Sequence, residues 1–255
     1  MAIEGLLVER QGGVLRITFD RPDRLNALTA PLVDAATEQV LVAADDGTRV
    51  ILLTGSGRAF SAGADVGPDG AAPGLDTLDA ANRFTMALTT SPLPVVAAVN
   101  GVAAGVGCSF ALAADITVAK ESASFMLAFT KIGLMPDGGA SLLVPAAVGR
   151  ARAARMALLA EKVPAPRAAE WGLIADVVPD DDFDAYIEGL VGQLAAGAPR
   201  ALAATKAIIN AATIDALPNI LAAERAGQGP LLESEDFAEG VTAFQEKRAA
   251  QFTGR

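Results

Sequence analysis

With 255 residues, 52% of them hydrophobic, the chain has enough apolar material for a large buried core, as one domain or as a core with a smaller appendage. A formal charge of −10 argues against a nucleic-acid partner, because phosphate binding needs a basic face. One cysteine and no histidine exclude an intramolecular disulfide framework, Ser-His-Asp and Cys-His catalysis and any His-ligated metal site.

The opening MAIEGLLVERQGG has early acids and no long apolar run, so no signal peptide is expected. GVLRITFD alternates apolar and polar residues, as a half-buried strand does. A helical window follows from Thr29 to Ala44. RVILLTGSG, a β-branched and leucine run ending in glycines, reads as a strand buried on both faces. GPDGAAPG, Gly67 to Gly74, predicts a mobile surface loop, and Asp76 to Thr90 a second helix. Leu93 to Ala114 carries no charged side chain and is long enough to span a membrane. Pro94, Asn100, Ser109 and several glycines interrupt it, however, and Asp115 follows directly. It reads as a buried strand (LPVVAAVNG), a Gly-rich turn and a buried helix over Val106–Ala114. No membrane partner is expected.

DITVA predicts another short buried strand. After about Asp180 the strand signals stop. DFDAYIEGLVGQLAAG, PRALAATKAIINAAT, LPNILAAERAGQGPLLES and EDFAEGVTAFQEKRAAQF all read as helices. The alternation of strands and helices predicts an α/β fold with much parallel pairing. The natural division is 1–196 as the core and 197–255 as a helical C-terminal region. The single Cys108 suits a reducing cytoplasm.

Acid–base work must fall to Asp, Glu, Lys, Tyr, the thiol or bound water. Two Gly-rich stretches, GSGRAFSAGAD (Gly55–Asp65) and NGVAAGVGCSFALAAD (Asn100–Asp115), each follow a buried strand. Neither ends in Gly-Lys-Ser/Thr, and Gly101, Gly105 and Gly107 do not fit G-x-G-x-x-G. A helix starting near Val106 presents free N–H groups in its first turn, and an N–H near Ala64 can face the same point. Two such donors with a helix dipole make an oxyanion hole. Close helix–strand packing wants the same small residues, and both readings stay open. GLMPDGGAS, Gly133 to Ser141, places Asp137 between a proline and two glycines; a turn, a helix N-cap and a catalytic base are all consistent with it.

RPDRLNALT, LLTGSGRAFSAGADV, LPVVAAVNGVAAGVGCSFALAADI, FTKIGLMPDGGASLLVPAAVGRARAARMALL, AAEWGLIADVV and SEDFAEGVTAFQEKR together resemble the enoyl-CoA hydratase/isomerase (crotonase) family, from about residue 4 to the C-terminus. The resemblance implies a spiral of ββα units, a helical C-terminal trimerisation region, and a homotrimer or dimer of trimers. It also implies an acyl-CoA thioester as substrate, with no separate cofactor and no metal. The oxyanion donors would be the backbone N–H groups of Ala64 and Val106, beside Gly105. Arg24, Leu25 and Ala27 match a segment that contacts CoA. Ala62, Asp65 and Val66 match the wall around the thioester, and Phe244 and Lys247 a C-terminal element that in relatives reaches CoA, sometimes from the next subunit.

Hydratases of this family use two glutamates, and at the matching positions this chain has Ser109 and Phe129. Phenylalanine cannot activate water, and serine without a base beside it is a poor proton acceptor. Ser109 and Phe129 are then expected to line the pocket. The chain most resembles the phenylacetate-degradation isomerases, in which the aspartate before the glycine pair, here Asp137, is the acid–base residue. A double-bond or ring-epoxide isomerase is therefore expected, with a weak hydratase and a non-catalytic acyl-CoA binder as alternatives.

Overall fold

A computed structural model of the chain describes residues 4–67 and 72–255. Strands β1 (Leu6–Gln11) and β2 (Val14–Phe19) form an antiparallel hairpin, and helix α1 (Ala30–Val42) follows. The chain then winds through three similar turns. Each has a strand in a large sheet, a short strand in a small sheet, and a helix. They are β3 (Val50–Gly55), β4 (Ala59–Ser61) and α2 (Leu75–Thr90); β5 (Val95–Val99), β6 (Val102–Ala104) and α3 (Val106–Leu112); and β7 (Ile116–Lys120), β8 (Ser124–Met126) and α4 (Ala140–Leu159). After β9 (Val163–Pro164), α5 (Ala165–Trp171) and β10 (Asp176–Val178) come α6 (Phe183–Ala196), α7 (Pro199–Thr213), α8 (Leu217–Leu232) and α9 (Glu235–Gln245). The sheets have the orders β1-β2-β3-β5-β7-β10 and β4-β6-β8-β9, parallel except at β1–β2 and β8–β9. This is the expected α/β spiral of ββα units with a helical C-terminal region.

Strand β3 shows why an uninterrupted apolar run suits the centre of such a sheet. Ile51 and Leu53 face the main core, while Val50 and Leu52 face a second apolar layer with Val96, Val118 and Phe183, Ile187 and Val191 of α6. Both faces are dry, so no polar alternation is possible. In the main core, Phe60, Phe19, Phe84 and Phe110, in that order, form an edge-to-face chain with successive centroids 5.7, 6.4 and 4.8 Å apart. It ties β2, β4, α2 and α3 together, each ring contact adding about 0.5–1.5 kcal/mol beyond area burial. No helix among the described residues is long and apolar enough to cross a membrane. Asp115, just past the apolar stretch, pairs with buried Lys206 of α7 at 2.9 Å. Lys206 also donates to the carbonyls of Leu88 and Leu93, which pins α7 to the core.

The last helix ends earlier than its sequence suggests. EDFAEGVTAFQEKRAAQF reads as one helix, but α9 stops at Gln245, and Lys247 adopts φ 56°. Asp236 accepts the N–H groups of Thr253 and Gly254, and Glu239 binds Arg248 and the Gln251 N–H. The tail therefore folds back along α9. Ser234 caps this helix by accepting the Phe237 N–H at 3.1 Å. Ser234→Ala is expected to cost about 1 kcal/mol, read as a lower urea midpoint at unchanged slope. Of the loop expected over Gly67–Gly74, residues 68–71 lie outside the described residues.

Candidate active site

One cavity, about 620 Å³ in volume and mostly apolar, opens between the spiral and the C-terminal helices. Its first wall is the loop after β2, with Arg24, Leu25 and Ala27. Leu25 and Asn26 there have φ of 52° and 57°. Asparagine tolerates that region better than most residues, and its side chain repays the position. Buried Asn26 accepts the Arg21 N–H at 2.9 Å and donates to the carbonyls of Ser56 and Ala59 at 2.9 and 2.7 Å. The loop is thus stapled to the end of β3 and the start of β4.

The second wall runs from Ala62 to Val66. Asp65 is paired with Arg21 at 2.8 Å and accepts the Gly67 N–H at 3.0 Å. Burial acts to raise its pKa, but the Gly67 amide and the Arg21 guanidinium outweigh it and hold the carboxyl below its usual range. A carboxylate held this way is a poor proton acceptor.

Ala64 forms a single parallel bridge with Leu28, in which the Leu28 N–H donates to Gly63 and the Asp65 N–H to Leu28. Both bonds come from the neighbours of Ala64, so its own N–H points away from Leu28. Val106 is the first residue of α3, where an N–H has no intrahelical partner. Among the described residues, neither amide donates to a backbone carbonyl. The two loops converge: a Cβ added to Gly63, which has φ 95°, would lie 2.9 Å from the Ala104 carbonyl and 3.5 Å from the Val106 nitrogen. Packing also needs small residues here, since a Cβ on Gly107 would sit 2.8 Å from the Ser61 carbonyl. Two unpartnered donors and close packing thus occur at one place.

Asp137 lines the same cavity and is 9% exposed. It is not a helix cap. The N-cap of α4 is Gly139, and no carboxylate from its own loop binds the first turn. Glu224 of α8 takes that position from across the fold, accepting the N–H groups of Gly139 and Ser141 at 2.8 and 2.9 Å. Asp137 instead accepts a hydrogen bond from Gln228 Nε2 at 2.8 Å. Burial pushes its pKa up to about 7; the Gln228 bond works against this and the Glu224 charge adds to it.

The sign of the stability effect follows. A carboxyl with its folded pKa raised from 3.8 to about 7 contributes stability that is complete below the lower value and lost as pH rises through the higher one. Asp137→Asn carries no charge to bury. Urea unfolding should show this variant gaining on the wild type by about 2–4 kcal/mol between roughly pH 4 and pH 8. A pH-independent difference would contradict a buried, protonatable Asp137.

Phe129 and Phe244 line the cavity, Phe244 as an exposed side chain near the end of α9. Two expected members lie outside this chain's own cavity wall. Ser109 is fully buried behind Asp137, donating from Oγ to the Asp137 carbonyl at 2.8 Å, so it supports the loop rather than lining the pocket. Lys247 is exposed beyond α9, which ends at Gln245, and is outside this chain's own cavity wall. Sequence reading missed Gln228, Arg58 and Lys131, all of which line the cavity, and Glu224 behind it. Among the described residues, no cluster of three or more Cys, Asp or Glu side chains is placed to hold a metal ion.

The fold and the sequence are matched by known proteins. The family model for enoyl-CoA hydratase/isomerase matches residues 9–255, and the chain belongs to that family. A probable enoyl-CoA hydratase of Rhodobacter capsulatus is 48% identical, with 100% of both chains covered. The 1,2-epoxyphenylacetyl-CoA isomerase of Escherichia coli is 41% identical, covering 99% of this chain and 100% of its own. The crystal structure of an enoyl-CoA hydratase from Mycobacterium avium subsp. paratuberculosis superposes with a TM-score of 0.94 at 47% identity, over 99% of this chain and 100% of that one.

Proposed function

We propose that the protein is an acyl-CoA isomerase that shifts a double bond, or rearranges a ring epoxide, through an enolate, with Asp137 as its acid–base group. The observation that carries this is the buried Asp137 carboxyl, which lines the cavity with Gly105 and Val106 and has a pKa raised to about 7 by burial, whereas Asp65 in the same wall is held by Arg21. Near neutral pH such a group takes up and releases a proton with little bias. In a 3-enoyl thioester, Asp137 removes a proton from C2. The electron pair delocalises onto the carbonyl oxygen, which the Ala64 and Val106 amides stabilise. Asp137-H then returns the proton to C4, leaving the 2-enoyl product and the original carboxylate. One group on one face suffices, so no net proton or electron is consumed.

The names of the relatives point in both directions, the Rhodobacter protein to hydration and the Escherichia protein to isomerisation. Water addition by the two-glutamate route lacks its carboxylates here, because the positions hold Ser109 and Phe129. The test is product analysis with the wild-type protein. A 3-enoyl-CoA should give the 2-enoyl isomer, with 3-hydroxyacyl-CoA forming far more slowly from the 2-enoyl substrate. Faster water addition than isomerisation would favour the hydratase, and tight binding without turnover would favour a non-catalytic binder. A cytoplasmic homotrimer or dimer of trimers belongs to the same reading. Exposed Leu158, Leu159, Ile208 and Ile209 supply apolar surface for subunit contacts.

A further inference from the structure

Gln228 and Glu224 lie four residues apart on α8, both almost fully buried, and both meet the loop that carries Asp137. Both N–H donors of Gln228 are used. Its Nε2 donates to the Met135 carbonyl at 2.9 Å and to Asp137 Oδ2 at 2.8 Å, and its Oε1 accepts the Met135 N–H at 3.0 Å. The pair of bonds to Met135 fixes the amide's orientation, so a donor must face the carboxyl. No described residue donates to the other oxygen, Oδ1, and it is not among the sealed, unpartnered polar atoms. That oxygen remains open to the cavity.

Glu224 occupies the Gly139 and Ser141 amides with its two oxygens. One is the N–H of the N-cap residue, two places after Asp137, which an aspartate can capture in a local Asx-type turn, and the other is a first-turn donor. Captured there, Asp137 would face the helix and become a strong, acidified carboxylate.

We propose that Gln228 and Glu224 are positioning residues for the reaction: Gln228 orients the Asp137 carboxyl with one oxygen toward the thioester, and Glu224 keeps the helix amides from binding it. This rests on the reading of Asp137 as the acid–base group. The two residues act on Asp137 in opposite senses. The Gln228 donor favours the charged form, and the Glu224 charge favours the neutral one. Asp23, Arg24, Arg58, Asp65 and Lys131 also line the cavity, but none is hydrogen-bonded to Asp137, and Asp65 is held by Arg21.

The test is a titration of Asp137 in the full-length protein, followed by the infrared band of its protonated carboxyl and assigned by the band's loss in Asp137→Asn. Gln228→Met keeps length and removes the donor, so the midpoint should rise by roughly one pH unit. Glu224→Gln removes the charge, and the midpoint should fall by a similar amount. The low-pH limb of kcat for 3-enoyl-CoA should follow each shift while KM stays near wild type. An unmoved midpoint in Gln228→Met, or shifts of the same sign in both variants, overturns the proposal. If Glu224→Gln does not fold, Gln228→Met decides alone. Opposite shifts that the kinetic limb ignores leave the positioning standing and remove Asp137 from the chemistry.

Discussion

Asp137→Asn is expected to lower kcat for 3-enoyl-CoA isomerisation by roughly 10²–10⁴-fold, the range for loss of a general acid–base group. Its KM for the thioester should change little. Asparagine keeps an oxygen for the Gln228 donor, and Asp137 makes no contribution to the Arg24 to Ala27 wall or the Ala62 to Val66 wall. The fold should also be undamaged, since removing a buried charge favours the native state at neutral pH. An inactive variant that is as stable as the wild type, or more so, separates catalysis from folding. Such opposition between activity and stability is expected where a carboxyl is held buried for its chemistry. Stopped turnover with intact acyl-CoA binding is the expected result, and full activity would remove Asp137 from the mechanism.

Val106→Pro tests the other half of the site. The proline deletes one N–H and little else, because the first helical position tolerates proline and its amide has no intrahelical partner. Gly105 before it has φ 52° and ψ −134°, so the preceding residue is outside the helical conformation that proline disfavours. Loss of one oxyanion donor is worth about 10²–10³ in kcat. Val106→Gly, which removes the side chain and keeps the amide, should retain activity. Comparing the two variants isolates the N–H from the side chain. Equal activity in proline and glycine variants would mean that the enolate oxygen lies elsewhere.

Much of this site was legible in the sequence because it is built from backbone and from one unusual turn. Apolar runs ending in glycines located β3 and β5, and small residues after them located Ala64 and Val106. The absence of histidine narrowed the acid–base candidates, and the resemblance to isomerases with an aspartate before the glycine pair singled out Asp137. The remainder was hidden for physical reasons. Strands as short as β4, β6, β8 and β9, of two or three residues, carry too little periodicity to see. Glu224 and Gln228 look like the solvated face of an amphipathic helix until the Asp137 loop is placed against them. Their spacing of four, set among Ala222, Ala223, Ala226 and Gly227, was the available signal. A bare Cα surface flanking two polar residues invites a close approach, and the Met135 side chain makes it: a Cβ on Gly227 would sit 2.7 Å from its sulfur. Ser109 misled because a family position is not an orientation. Its short hydroxyl turns to the Asp137 carbonyl, where a longer glutamate would not fit the same role. Lys206 was unreadable for a similar reason: a lone lysine on a helix is ordinarily solvated, and only the fold brings Asp115 to it.

The central claim is that one carboxyl carries the proton from C2 to C4. The direct measurement is the fate of deuterium at C2 of a 3-enoyl-CoA during single turnover in ordinary water. With Asp137 buried in a mostly apolar cavity, slow exchange with solvent is expected, and a substantial fraction of the 2-enoyl product should then carry the label at C4. Product with solvent hydrogen at C4 in every turnover, at an undiminished rate in Asp137→Asn, would contradict the single-carboxyl mechanism.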